Sequence, residues 1–472
     1  MIRRYGIALL LILTVLGGCA TAPKSTDPRT LTYPQLKFTI PQSERLTLEN
    51  GIVLYLLEDH ELPLVSLTAY LRTGGIYDPA EMAGLASITG SLIRGGGTAT
   101  LTPDELDAEL EFMASGIESS IGEENGSVSM TTLTRNLDRT LALFTDVMLT
   151  PGFAQGRIDL TKKNYIEGIR RQNDDPKEIA AREFRKALYA NHPLGRVATI
   201  ESIKRISRDD IIAFYRQAMQ PSGMIIAVSG DFDSKELAAK LGKLLGKWRP
   251  TATGLPAVAQ PDVTPAKRVL QAHKQVSQSV VRIGHLGLEK NNPDQYAIRV
   301  MDYILGGGFT SRLTQEVRSN QGLAYHAGSR FDIGRRFPGT FIAETETKSA
   351  STVKAISLMK EIIAGMTTAA VTDAELRQAR ESIINSFIFG FTRADSIVTQ
   401  QARLEFFDYP RGYLENFRDN IAKVTAADIL RVARKYLHPE AMTIMVVGDE
   451  TKFDRPLSVF GEVREIKLEN GK

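Results

Sequence analysis

At 472 residues the chain is longer than one ordinary domain, so two or more are expected. Hydrophobic residues at 43% and charged residues at 24% fit a globular protein with material for sizeable cores. With 58 basic against 55 acidic residues, a formal charge of +3, it shows no electrostatic footprint for nucleic acid and no polybasic membrane patch.

The N-terminus opens with Arg3 and Arg4, then an apolar run from Ile7 to Leu16 that is too short to span a bilayer. It ends in Leu16-Gly17-Gly18-Cys19, which resembles the lipobox of bacterial lipoproteins. The resemblance implies a leader over residues 1–19 and acylation of the Cys19 thiol after cleavage. An ordinary secretory leader with an incidental cysteine is the alternative. Cys19 is the sole cysteine, so an internal disulfide is excluded and no cysteine is left to bind a metal. Ala20 and Thr21 stand where an aspartate would retain a lipoprotein at the inner membrane. By resemblance to lipoprotein sorting, the expected location is the outer membrane of a bacterial envelope, facing the periplasm. Residues 20–37, rich in Thr, Pro, Ser and Lys, read as a flexible tether.

Leu46 to Leu57 then reads as a strand pair around Asn50-Gly51, and Val65 to Leu71 alternates as a strand does. Helical periodicity follows in Ala86 to Ile93, Pro103 to Ala114, Asn136 to Met148, Arg157 to Asn173 and Pro176 to Tyr189. Thr102 before Pro103-Asp104-Glu105 is a good helix start, with acids in the first turn. Pro250 to Pro265, with four prolines, marks a linker between a first half over 38–249 and a second over 266–472. Asp210, Pro221, Met224, Gly230 and Asp231 recur 218 positions later as Asp428, Pro439, Met442, Gly448 and Asp449. At the same offset Ser207 becomes Thr425, both fitting as N-caps. One offset kept through helix, turn and strand indicates a duplicated unit. The expected fold is α+β: two homologous domains, each a mostly antiparallel sheet with helices packed on one face.

The first half contains Gly84-Leu85-Ala86-Ser87-Ile88-Thr89-Gly90-Ser91-Leu92. This segment resembles the active-site helix of the insulinase, or pitrilysin, family of zinc peptidases, and of the processing peptidases within it. There a Gly-Leu-Ala lead-in precedes His-x-x-Glu-His. Two imidazoles four apart on one helix face bind zinc, and the glutamate between them acts as base toward the metal-bound water. Matched position by position, Ser87 and Ser91 replace the histidines and Gly90 replaces the base. The family's third ligand is a glutamate on a later helix, and ungapped matching places Gly168 there, with Glu167 beside it. Hydroxyls are poor zinc ligands and glycine takes no proton, so no zinc is expected in this chain.

The six histidines (His60, His192, His273, His285, His326 and His438) offer no replacement, because no two lie within five residues of each other. His192, in Asn191-His192-Pro193-Leu194-Gly195-Arg196, reads as structural. Gly95-Gly96-Gly97 reads as a helix stop.

The second half contains Leu305-Gly306-Gly307-Gly308-Phe309-Thr310-Ser311-Arg312-Leu313, then Arg318 and, after Gly322-Leu323-Ala324, Tyr325. Without a Gly-Lys-Ser/Thr ending the glycines are not a phosphate loop. The string resembles the family segment whose arginine and tyrosine, seven apart, bind the scissile-peptide region and stabilise its oxyanion. Taken singly, Arg318 reads as a solvated helix residue and Tyr325 as a strand-edge aromatic.

Together these resemblances imply a zinc-less subunit forming half of a clam-shell around unfolded peptides. A sister subunit would carry the zinc, while Arg318 and Tyr325 act in trans. The alternative is a scaffold or peptide-binding lipoprotein with the same fold.

Overall fold

The computed structural model describes residues 38–250 and 254–468. The leader, Cys19, the tether and part of the linker lie outside the described residues. Most of the chain, from Ile40 onward, forms a single compact unit.

In chain order the first half runs β1 (Glu44–Thr47), β2 (Val53–Glu58), β3 (Leu64–Leu71), α1 (Leu85–Gly95), α2 (Pro103–Phe112), β4 (Gly116–Ile121), β5 (Gly126–Leu133), α3 (Leu137–Leu149), α4 (Gln155–Arg171), α5 (Pro176–Tyr189), α6 (Ile200–Arg205), α7 (Arg208–Ala218), β6 (Ile225–Gly230) and α8 (Ser234–Leu245). The second half runs β7 (Arg268–His273), β8 (Gln278–Leu286), α9 (Gln295–Asp302), β9 (Ala324–Phe331), β10 (Thr340–Lys348), α10 (Thr352–Thr368), α11 (Asp373–Phe387), α12 (Ala394–Phe406), α13 (Tyr413–Lys423), α14 (Ala426–Tyr436), β11 (Thr443–Gly448) and β12 (Val463–Glu465). Between the halves, residues 254–267 form neither helix nor strand.

Local chemistry sets these boundaries as the sequence indicates. Thr102 and Glu105 form a reciprocal capping box at the start of α2. Ser207 with Asp210 and Thr425 with Asp428 do the same for α7 and α14. The 218-residue offset also relates the starts of α4 and α11, of α5 and α12, and of β6 and β11. The β1–β2 turn uses Gly51 at φ 87°, a left-handed conformation that suits glycine.

Each half builds a six-stranded sheet. The first has the order β1-β2-β6-β3-β5-β4, antiparallel except for β2 against β6. The second has the order β9-β10-β8-β11-β7-β12, with β7 parallel to both its neighbours. Helices of the same half pack on one face and bury a large apolar core in each, around Phe144 in the first and Met301 in the second.

The opposite face of each sheet is closed by a helix from the other half. Ile179, Ala180, Phe184 and Leu188 of α5 pack on Leu270, Val280, Ile342 and Met445 of the second sheet. Val398, Ala402 and Phe406 of α12 pack on Tyr70, Ile225 and Ala227 of the first. Phe184 and Phe406 are fully buried by this exchange, and each contributes roughly 2–3 kcal/mol of transfer free energy. Arg45 on β1 and Tyr55 on β2 add charge-assisted hydrogen bonds to Glu405 of α12, at 2.7 and 2.6 Å.

Candidate functional site

The helix α1 is held at its start by a buried carboxylate. Asp78 accepts hydrogen bonds from the backbone N–H groups of Gly84 and Ala86, both at 2.8 Å. Burial pushes the Asp78 carboxyl up to about 6 against those two bonds. Gly84 takes the left-handed conformation at φ 103° that turns the chain into the helix. At the other end Gly96 caps α1 and Gly97 has φ 74°, the helix stop its glycine run suggests.

The motif positions on α1 face different surroundings. Ser87 is half-buried and Ser91 exposed, and the Ser91 hydroxyl donates to the Ser87 carbonyl at 3.0 Å. Gly90 is buried against the edge strand β4. A Cβ added there would lie 2.2 Å from the Ile121 backbone nitrogen and 2.8 Å from the Ser120 carbonyl carbon. Ser119 fixes this approach, donating to the Gly90 carbonyl at 2.6 Å and accepting from the Arg94 N–H at 3.0 Å. No side chain fits at the base position without moving the helix off the strand.

The third-ligand position fares no better. The helix α4 packs on α1, but Gly168 is exposed with open space around it. The Glu167 carboxylate is engaged by Arg170, three residues on, at 2.5 Å. Two hydroxyls and two glycines do not make a zinc donor set.

Among the described residues, His273, Asp449 and Glu450 have potential metal-ligand atoms within 4.8 Å of one another. Their groups are already paired: His273 Nδ1 with Glu450 at 2.7 Å and Asp449 with Lys452 at 2.7 Å. His192 is structural as expected, its Nε2 bonded to the Ala259 carbonyl at 2.9 Å and its ring against Phe337.

In the second half the structure brings Arg318 and Tyr325 together. The Arg318 Cζ lies 4.9 Å from the Tyr325 ring centroid and 5.3 Å from that of Phe309. Arg318 sits on a π-helical segment, Thr314–Asn320, rather than a regular helix. Tyr325 stands at a bulge in β9, where the register slips between Ala324 and His326. The bulge turns its ring outward, leaving Tyr325 84% exposed beside a Phe309 that is 75% exposed. Thr345 and Thr347 of β10 anchor the flanks, donating to the carbonyls of His326 and Leu323 at 2.7 Å each.

The loop under Phe309 is also pinned. Gly308 N–H donates to the Tyr303 carbonyl at 3.1 Å, and Gln378 of α11 bonds the Thr310 hydroxyl at 2.9 Å. Arg312 makes a two-pronged pair with Glu375 at 2.7 and 3.0 Å, which holds that carboxyl down to about 2. Beneath the loop, Gly306 meets β9 so closely that a Cβ would lie 2.1 Å from the Ser329 nitrogen. Phe309 escapes notice as a site residue in the sequence; its only signal is a bulky apolar residue directly after three glycines.

Residues 54–199 match the family Insulinase (Peptidase family M16), and residues 205–383 match the Peptidase M16 inactive domain. An uncharacterized zinc protease of Mycobacterium leprae is 26% identical over 404 residues, covering 84% of this chain and 89% of the relative. A non-peptidase homolog of Helicobacter pylori is 22% identical over 84% of this chain and 91% of its own length. The crystal structure of a peptidase M16 inactive domain from Pseudomonas fluorescens superposes with a TM-score of 0.78 at 24% identity, covering 86% of this chain and 98% of that one, and supports the fold. Both halves being matched in sequence and in architecture, the chain belongs to the insulinase family, peptidase family M16, and is a homologue of its zinc proteases.

Proposed function

We propose that this chain is a zinc-less subunit of an insulinase-family peptidase that pairs with a zinc-bearing sister subunit. The observation that carries this reading is a contrast within one chain. The base position is filled by β4 backbone at Gly90, while a half-buried Arg318 on its π-helical segment stands against an exposed Tyr325 on β9. In this reading the sister subunit supplies metal and base. Arg318 and Tyr325 bind the peptide and hold the oxygen on which charge develops. The chain would reach its partner and unfolded peptides in the periplasm, tethered to the outer membrane through a lipid on Cys19.

The test is reconstitution. The purified mature chain is expected to retain no zinc after dialysis and to cleave no peptide, yet to raise turnover by a zinc-bearing family subunit from the same cell. Stoichiometric zinc in the isolated chain contradicts the reading.

A second reading, a non-enzymatic scaffold or peptide-binding lipoprotein, is favoured by similarity to a relative described as a non-peptidase homolog. Unaltered turnover by the sister subunit, with peptide still bound by this chain alone, selects it.

A further inference from the structure

We propose that Phe309 is a positioning residue for Arg318, holding the guanidinium in place to offer its N–H groups to an oxygen of a bound peptide. The inference rests on the peptide-binding reading above and adds a third side chain to it.

Arg318 is half-buried, with Phe309 and Tyr325 each within cation–π distance of its Cζ. Among the described residues no carboxylate pairs with it and no hydrogen bond commits its N–H groups. Arg45, Arg139, Arg312 and Arg330, by contrast, each close on an acid. The Arg318 donors are therefore available to a ligand, and its ring neighbours leave them so.

A free arginine side chain carries about 2 kcal/mol of rotamer entropy that binding must remove. Stacking on rings removes part of that cost in advance, which is preorganisation. Phe309 suits the task because its own backbone is fixed on both sides. Gly308 is tied to Tyr303, Thr310 to Gln378 of α11, and Ser311 N–H to the Gly308 carbonyl at 3.0 Å. An apolar ring left 75% exposed on so firmly held a loop contributes nothing to the core. Its ring instead lies 5.3 Å from the Arg318 Cζ.

The test uses the purified mature chain and a fluorescein-labelled, unstructured peptide of mixed sequence, read by fluorescence anisotropy. Phe309→Ala is expected to weaken binding about tenfold, from the loss of one cation–π contact and the ordering it provides. Phe309→Leu, which keeps bulk without the π face, should weaken it as much, while Phe309→Tyr and Phe309→Trp restore it. Arg318→Ala is the control for the underlying reading. If Arg318→Ala weakens binding and Phe309→Ala does not, the positioning role is overturned and the peptide-binding reading stands. If neither changes binding, both are overturned. Equal rescue by leucine and tyrosine would also overturn the role, because bulk alone would then suffice.

Discussion

Gly90 and Gly306 are counterparts in the two halves. Gly90 lies on α1 against the edge strand β4 and Gly306 on the π-helical turn Tyr303–Gly307 against the edge strand β9, and each would put a Cβ onto backbone nitrogen: Ile121 at 2.2 Å and Ser329 at 2.1 Å. The glycine at the base position is thus half of a repeated packing device, in which helix and strand meet without a side chain between them. Reverting the motif therefore means prising α1 from β4 rather than exchanging a surface residue.

Gly90→Ala and Gly306→Ala should each destabilise the protein by about 3 kcal/mol, the upper range for overpacking, because the colliding atoms are backbone. Gly90→Glu combined with Ser87→His and Ser91→His should lower the melting temperature further and bind no stoichiometric zinc. Thermal denaturation and metal analysis of the same preparations check both points. A stable triple variant holding one zinc would show that the helix yields easily.

Asp78→Ala should cost about 3 kcal/mol, since it strands the buried Ala86 N–H and the half-buried Gly84 N–H at the start of α1. Asp78→Asn keeps one acceptor and should cost about half as much. The Asp78 carboxyl is raised from 3.8 to about 6 by burial. Stability from this group is fully present below 3.8 and is lost as pH rises through about 6. The deficit of Asp78→Asn relative to the unsubstituted protein should therefore shrink between pH 4 and pH 7 in urea titrations.

His285 works in the opposite direction. It is buried beside Phe341 and His438, its Nδ1–H donates to the Leu286 carbonyl at 2.8 Å, and burial depresses it from 6.5 to about 4. Its contribution is fully present above pH 6.5 and is lost as pH falls through about 4, roughly 3 kcal/mol in all. His285→Phe should flatten the acid limb of the stability profile, measured by urea titration from pH 7 to pH 4. An unchanged acid limb would show that other groups govern it.

Phe184→Ala and Phe406→Ala should each cost 3–5 kcal/mol, about the range for emptying a buried phenylalanine site. Because α5 and α12 each seal the other half's sheet, calorimetry should show one unfolding transition and not two. Two separated transitions would mean that the exchanged helices couple the halves weakly.

Much of this architecture was legible in the sequence where its signals are local. Thr102, Ser207 and Thr425 announce helices because a cap needs only the next three residues. The repeat was legible because one offset relates α4 through β6 to α11 through β11. The serines and glycines of the zinc motif could be read directly, but the reason Gly90 admits no side chain depends on β4, roughly thirty residues away in sequence. The helix exchange was hidden because apolar stripes on α5 and α12 say that a face is buried, not against which sheet. Likewise, the spacing of Arg318 and Tyr325 was visible. The bulge that turns Tyr325 outward and the approach of Phe309 are consequences of tertiary placement.

The proposed role of Arg318 and Tyr325 requires a site completed by another chain. The most direct measurement is peptide turnover by the zinc-bearing subunit reconstituted with this chain carrying Arg318→Ala and Tyr325→Phe together. Removing oxyanion-type donors should reduce kcat by about a hundredfold or more while the pair still co-elutes. Turnover equal to that of the unsubstituted pair would contradict the account and leave this chain a scaffold.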